Sequence, residues 1–251
     1  MFNLPDIYRV DVNVALKEFI PRNLKPSDKK RIKDSVKSVR LEYQITGEEI
    51  PSVDNEKYCC QVIQFYDVEV ENIKDANFLA ATYQSLIKPL CVIHMHDTKD
   101  EVYSMAIKRI SQMDDRQIVV EQTLITDKYV IGLPDSNRDR LMAYMDYSTL
   151  KNKTDKVQLY KEWFYKAYML VNEKAYIHTD KLLDGNSWYD SNRSARICQK
   201  YIALVASRGK LKTAATNAVR ININKEIKTE IRELTMYISR SKQRGTIHEN
   251  Y

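Results

Sequence analysis

A chain of 251 residues is long enough for one large domain, or for a domain with a helical extension, and needs neither disulfides nor a metal to hold a core. Hydrophobic residues make up 43% and charged residues 29%, as in ordinary globular proteins, and no apolar run approaches the roughly 20 residues that cross a bilayer. The net charge of +6 is uneven: residues 1–132 hold 18 Lys/Arg against 21 Asp/Glu, and residues 133–251 hold 22 against 13.

The opening Met1-Phe-Asn-Leu-Pro5 lacks the basic segment and apolar core of a signal peptide. Pro5, Pro21 and Pro26 interrupt the first 26 residues, and Ser27 is placed to cap a helix running to about Lys37, with Asp28 in its first turn. Val39, Leu41 and Tyr43 alternate with Arg40, Glu42 and Gln44, the pattern of a half-buried strand. A polar loop around Pro51 leads to one long strand, Tyr58 to Glu71, whose length implies a bend or bulge. Val62, Gln64, Tyr66, Val68 and Val70 share one face of it; Gln61, Ile63, Phe65, Asp67 and Glu69 share the other. A helix over about Lys74–Lys88 follows, then a central strand at Leu90–Met95, apolar on both faces. Glu101–Lys108 and Gln117–Leu124 read as further strands, joined by short polar turns at Asp97–Asp100 and Asp114–Arg116.

After Gly132 the pattern changes. Leu141–Tyr147 reads as one more strand, and Asp155–Val171 as an amphipathic helix carrying Leu159, Trp163, Ala167 and Leu170 at helical spacing. Asp180–Asp190 reads as a loop around Gly185, and Ser191–Ala206 as a helix ended near Gly209. The last helix, about Asn217–Ser239, carries the stripe Ile223, Ile227, Ile231, Leu234 and Ile238, which suits an antiparallel hairpin with the preceding helix or pairing with a partner chain. The expected architecture is α+β: a mixed or antiparallel sheet with packed helices over residues 1–150, a C-terminal helical module with a basic helical hairpin over 151–241, and a disordered tail at 242–251.

Catalytic signatures are scarce. The five glycines are far apart, so phosphate-cradling loops and dinucleotide fingerprints are absent, and no cofactor is expected. There is no Gly-x-Ser-x-Gly. Cys59, Cys60, Cys91 and Cys198 form no CxxC and read as reduced thiols of a cytoplasmic protein. His94 and His96 share a strand face, with Asp97 and Asp100 following; two imidazoles hold zinc only if a third ligand comes from elsewhere. The plainer reading is a polar strand end, and no metal is assigned. Asp67 and Glu69 share a face, as the carboxylates of a Mg²⁺-dependent nuclease would, but no Glu-x-Lys accompanies them on a neighbouring strand.

The strongest lead is basic. Arg193, Arg196, Lys200, Arg208, Lys210, Lys212, Arg220, Lys225, Lys228 and Arg232 are positioned to neutralise phosphates, and from Arg193 to Arg244 thirteen basic residues face only Glu226, Glu230 and Glu233. Trp188, Tyr189 and Tyr201 offer stacking platforms if exposed. No helix-turn-helix or zinc-finger spacing supports base-specific reading.

Met1-Phe-Asn-Leu-Pro5, Phe19-Ile-Pro21, the strand Ile63–Val70, Pro89–Ile93, Tyr103–Lys108, Met145–Leu150 and Val219–Lys228 occur in an order that resembles the bacterial family catalogued as domain of unknown function 4391. The resemblance covers most of the chain and carries over no catalytic residue. Residues 47–55 and 172–190 depart from it, as do His94 and His96. It implies genes beside helicases and DNA methyltransferases of restriction-type defence loci. The expected function is therefore a non-enzymatic accessory subunit of a DNA-targeting antiviral system, contacting nucleic acid and helicase- or methyltransferase-type partners, the proteins through tyrosine-rich surfaces. The alternatives are a divergent Mg²⁺-dependent nuclease using Asp67 and Glu69, and a protein-only scaffold.

Overall fold

The computed structural model describes residues 1–20, 24–114 and 117–245, with side chains described as far as Ile238. The expected breaker Pro21, part of the Asp114–Arg116 turn and the end of the expected tail lie outside these residues. The chain divides into two compact units, Met1–Ala167 and Tyr168–Tyr251, with the division inside a helix. The fold is α+β, with a mixed sheet and a helical C-terminal part.

The first unit is built on a seven-stranded sheet. In chain order its elements are β1 (Arg9–Asn13), α1 (Pro26–Ser35), β2 (Val36–Ile45), β3 (Val53–Asp54), β4 (Cys59–Cys60), β5 (Ile63–Val70), α2 (Ala76–Leu86), β6 (Leu90–His96), β7 (Asp100–Ile110), β8 (Ile118–Ile125), β9 (Tyr129–Val130), α3 (Ser136–Met145) and α4 (Lys156–Val171), whose last turn enters the second unit. The strands lie in the order β1-β2-β5-β6-β7-β8, with β9 beside the start of β7; β3 and β4 form a separate small ladder. Among the described residues only β5 and β6 run parallel, joined by the α2 crossover, because parallel neighbours need a long connection.

Several boundaries differ from the sequence expectations for local reasons. Pro26 opens α1 at a position where its missing N–H costs nothing, so Ser27 lies inside the helix. The long strand breaks at Gln61-Val62, leaving β4 to pair with β3 and β5 with β2 and β6. Leu141–Tyr147 is not a strand. Asp135 accepts from the backbone N–H groups of Asn137 and Arg138, capping α3, and the buried Leu141 and Met145 are one helical turn apart.

The two sheet faces are covered differently. Val68, Val70, Ile93, Met95 and Val102 meet Ile32 of α1 and Leu79, Ala80 and Tyr83 of α2 in one buried cluster. On the other face Phe65, Val92 and Met105 form a buried cross-strand row. Phe65 packs edge-on against Trp163 of α4, with ring centroids 5.4 Å apart. Phe2 contacts both rings and Tyr103.

The second unit contains the end of α4, α5 (Thr179–Leu183), α6 (Ser191–Thr213) and α7 (Asn217–Gly245). The expected loop at 180–190 is α5 followed by a short 3-10 turn, held by buried Leu182, Leu183 and Trp188. Asp190 caps α6 through Asn192 and Arg193 N–H groups. That helix runs past Gly209, where a side chain would meet nothing within 4 Å. The three-residue connection 214–216 makes α6 and α7 an antiparallel hairpin, and Ile223, Ile227 and Leu234 of the stripe are buried. The helix continues through residues 242–245, part of the expected tail. No helix among the described residues is long and apolar enough to cross a membrane.

Candidate functional site

On the sheet face that packs Phe65, Val92 and Met105, the chemistry changes within one step of two residues. The next cross-strand row is Arg40, Asp67, His94 and Tyr103, and the row beyond it contains Glu69, His96 and Glu101. The parallel register of β5 and β6 sets Asp67 beside His94, 27 positions later in the chain. Here the apolar cover ends: the side chains of Asp67, His94 and His96 are 16%, 17% and 25% exposed.

His94 stands between two carboxylates. Its Nδ1 lies 2.9 Å from an Asp67 oxygen and its Nε2 lies 2.8 Å from Glu101. His96 Nε2 reaches the same Asp67 carboxylate at 3.4 Å. Tyr103 stacks on the His94 ring with centroids 4.7 Å apart, and its hydroxyl donates to Glu101. The second Glu101 oxygen takes Arg138 of α3, and Arg40 Nη2 stands 3.5 Å from Asp67.

Burial raises the Asp67 carboxyl, but the hydrogen bonds from His94 and His96 outweigh it and hold the group well below the usual carboxylate range. Glu101 is likewise raised by burial, then lowered further by His94 and Arg138, to about 2. Burial opposes a charged His94, yet its two carboxylate partners carry its pKa above the ordinary imidazole value. His96 is raised chiefly by its hydrogen bond with Asp67.

The acids that follow the two histidines in the chain are engaged elsewhere. Asp97 accepts from the backbone N–H groups of Ile73, Lys99 and Asp100, closing a turn, and Asp100 pairs with Lys128. The third group beside the two histidines is Asp67, and these three side chains form the one potential metal-holding group among the described residues. Glu69, the other carboxylate of the nuclease alternative, faces Lys37 and Ser38.

The ten basic residues named from the sequence separate into two sets. Arg193 donates to the Tyr237 carbonyl, Lys200 pairs with Glu233 and Glu230 at 2.8 and 3.7 Å, and Arg208 is half-buried. Arg196, Lys210, Lys212, Arg220, Lys225, Lys228 and Arg232 are exposed. Among the described residues none of these seven has an ion-pair partner, and Arg220 donates to the Ala214 carbonyl. Glu230 and Glu233 turn to Lys200 of α6, and Glu226 reaches Ser207 of α6. At 100° per residue Lys225, Lys228 and Arg232 fall within an arc of about 60°, opposite the buried stripe.

The aromatic platforms are mostly taken up inside the fold. Trp188 is buried and donates to the carbonyls of Leu182 and Leu183; Tyr201 is buried with its hydroxyl bound to Thr179, Met169 and Asn172. Tyr189 is exposed. Of the seventeen tyrosines, Tyr8, Tyr66, Tyr83, Tyr103, Tyr129, Tyr160, Tyr176 and Tyr201 are in the interior.

No curated protein and no solved structure matches this chain. The family model for the domain of unknown function DUF4391 matches residues 2–237, nearly the whole length, and the chain belongs to that family.

Proposed function

We propose that this protein is a non-enzymatic accessory subunit that holds nucleic acid against the outer side of the α6–α7 hairpin. The observation carrying this reading is the unpaired, exposed row Lys225, Lys228 and Arg232, set away from the acids of its own hairpin. Such a row contacts phosphates without reading bases, so affinity is expected to be independent of sequence and to fall steeply with salt. Lys210, Lys212 and Arg220, near the turn of the hairpin, extend the surface. The partners implied by the family resemblance are helicase- or methyltransferase-type proteins of a DNA-targeting defence system, working in the cytoplasm.

The test is fluorescence anisotropy with single- and double-stranded DNA and RNA over a salt series. Lys225→Glu with Lys228→Glu is expected to weaken binding at least tenfold and to flatten the log–log salt slope by about 2, one for each phosphate that is no longer neutralised. Binding that ignores salt, or that survives the double charge reversal unchanged, refutes the reading. Absence of any nucleic-acid binding leaves the protein-only scaffold. The Mg²⁺ nuclease reading requires cleavage that disappears on Asp67→Ala; the other partners of Glu69 weigh against it.

A further inference from the structure

Both ring nitrogens of His94 face carboxylate oxygens. A neutral imidazole has one N–H and one bare nitrogen. Glu101 is anchored by Arg138 and the Tyr103 hydroxyl, and in the neutral ring it is the acceptor placed to take an N–H at Nε2. That tautomer leaves Nδ1 bare, with its lone pair directed at an Asp67 oxygen 2.9 Å away. His96 Nε2 converges on the same carboxylate.

We propose that Asp67, His94 and His96 form a binding site for one divalent cation of the zinc class, with His94 Nδ1, His96 Nε2 and an Asp67 oxygen as ligands and Glu101 as the carboxylate that orients His94. Protons can also bridge these contacts, one pair at a time; a metal ion would draw His94, His96 and Asp67 onto a single centre. The spacing agrees with such an ion. Zinc bonds of about 2.0–2.1 Å in tetrahedral geometry put neighbouring ligand atoms about 3.3 Å apart. Asp67 lies 2.9 Å from His94 Nδ1 and 3.4 Å from His96 Nε2, and all three ligand atoms fall within 4.8 Å of one another.

Ligand chemistry selects the cation. Two imidazoles and one carboxylate suit zinc and its late first-row neighbours; magnesium and calcium prefer oxygen. The carboxylate–histidine pair behind His94 is the usual outer partner of a metal-binding imidazole, fixing its tautomer and ring plane. Arg40 beside Asp67 and Arg138 on Glu101 offset part of the negative charge and so limit affinity without occupying a ligand nitrogen. The partial exposure of the three side chains gives an ion access from solvent. Three protein ligands leave a fourth position for water, as in open rather than purely structural zinc sites.

The site is independent of the nucleic-acid proposal, and the two fail separately. Full-length protein freed of metal with chelator is titrated with Zn²⁺ and, in parallel, with Mg²⁺ by calorimetry at neutral pH; Co²⁺ absorption reports coordination. One Zn²⁺ per chain is expected, at least 100-fold tighter than Mg²⁺. His96→Gln, chosen because His96 is the most exposed ligand, and Asp67→Asn are each expected to weaken Zn²⁺ by tenfold or more. Glu101→Gln, which leaves every ligand in place, is expected to weaken it by about 10- to 100-fold. Lys225→Glu with Lys228→Glu leaves it unchanged. Circular dichroism identifies variants that still fold. A folded chain that takes up no Zn²⁺, or binding undiminished in both His96→Gln and Asp67→Asn, overturns the proposal.

Discussion

The first unit takes charge into its interior, whereas the hairpin of the second leaves most of its charge in water. Lys108, Lys156, Glu162, Lys166 and Glu101 are each no more than 4% exposed. Their partners are tightly specified. Lys156 Nζ donates to the carbonyls of Gly47 and Ile50 and to the Ser52 hydroxyl, tying a loop to α4. Lys108 donates to the carbonyls of Ile87 and Pro89, and burial lowers its pKa. On the hairpin, Lys225, Lys228 and Arg232 touch no acid among the described residues. A buried charge is committed to one geometry because losing its partner leaves it desolvated and alone; an exposed charge retains its freedom and is available to a ligand.

The largest effect that sharpens this contrast lies at Glu162. Its carboxylate pairs with Lys166 at 2.6 Å, one helical turn away, and accepts from the backbone N–H groups of Lys151 and Asn152. Glu162→Ala leaves a buried ammonium and two N–H groups without that carboxylate, and is expected to cost about 3–5 kcal/mol in urea unfolding. Lys225→Ala is expected to stay within about 0.5 kcal/mol of the parent. Equal costs would erase the distinction between the two kinds of charge.

Within the second unit the same contrast runs across one helix. Leu234 of α7 is fully buried, while Ile221 on the far side is 56% exposed. Leu234→Ala is expected to cost about 2–4 kcal/mol through poorer packing and a residual cavity. Native-state hydrogen exchange should register it as reduced protection of the α6 and α7 amides, whereas Ile221→Ala leaves protection unchanged. If both substitutions loosen the hairpin alike, the Ile223–Leu234 stripe is not its seam.

These elements also show what was legible before folding. The period-2 pattern of Ile63–Val70 places Asp67 on the Phe65 face, and the 4-4-3-4 stripe of α7 marks its buried side, because both are local periodicities. The pairing of Asp67 with His94 was not legible. It depends on which strand lies beside β5 and in which register, a relation across the α2 crossover. Arg138 was missed because Leu141–Tyr147 shows alternating large side chains that imitate a strand. The available signal was Asp135 three residues before Arg138, a helix cap that puts an arginine in the first turn. The stacking role given to Trp188 and Tyr201 failed for a similar reason: an aromatic beside a basic segment packs inward when its polar atom finds a carbonyl there.

The smallest expected effect concerns a charge pair between the two extremes. Arg31 of α1 is half exposed and makes two hydrogen bonds to Asp75, which also accepts from Ser35. The guanidinium also lies 4.1 Å from the Phe78 ring centroid. The Arg31 hydrogen bonds are the largest influence on Asp75 and lower its pKa, so the pair stabilises the folded state above the ordinary aspartate value near 3.9. As pH falls through the lowered folded-state pKa, Asp75 becomes protonated and that contribution is lost. Arg31→Gln is therefore expected to cost about 0.5–1 kcal/mol at pH 6, in keeping with a water-screened pair. The difference between parent and variant should shrink as the pH is taken below 3.9, when unfolding is measured in urea at each pH. A gap that stays constant down to acid would assign the effect to Arg31 stacking on Phe78, and charge at this position would then contribute nothing that pH can remove.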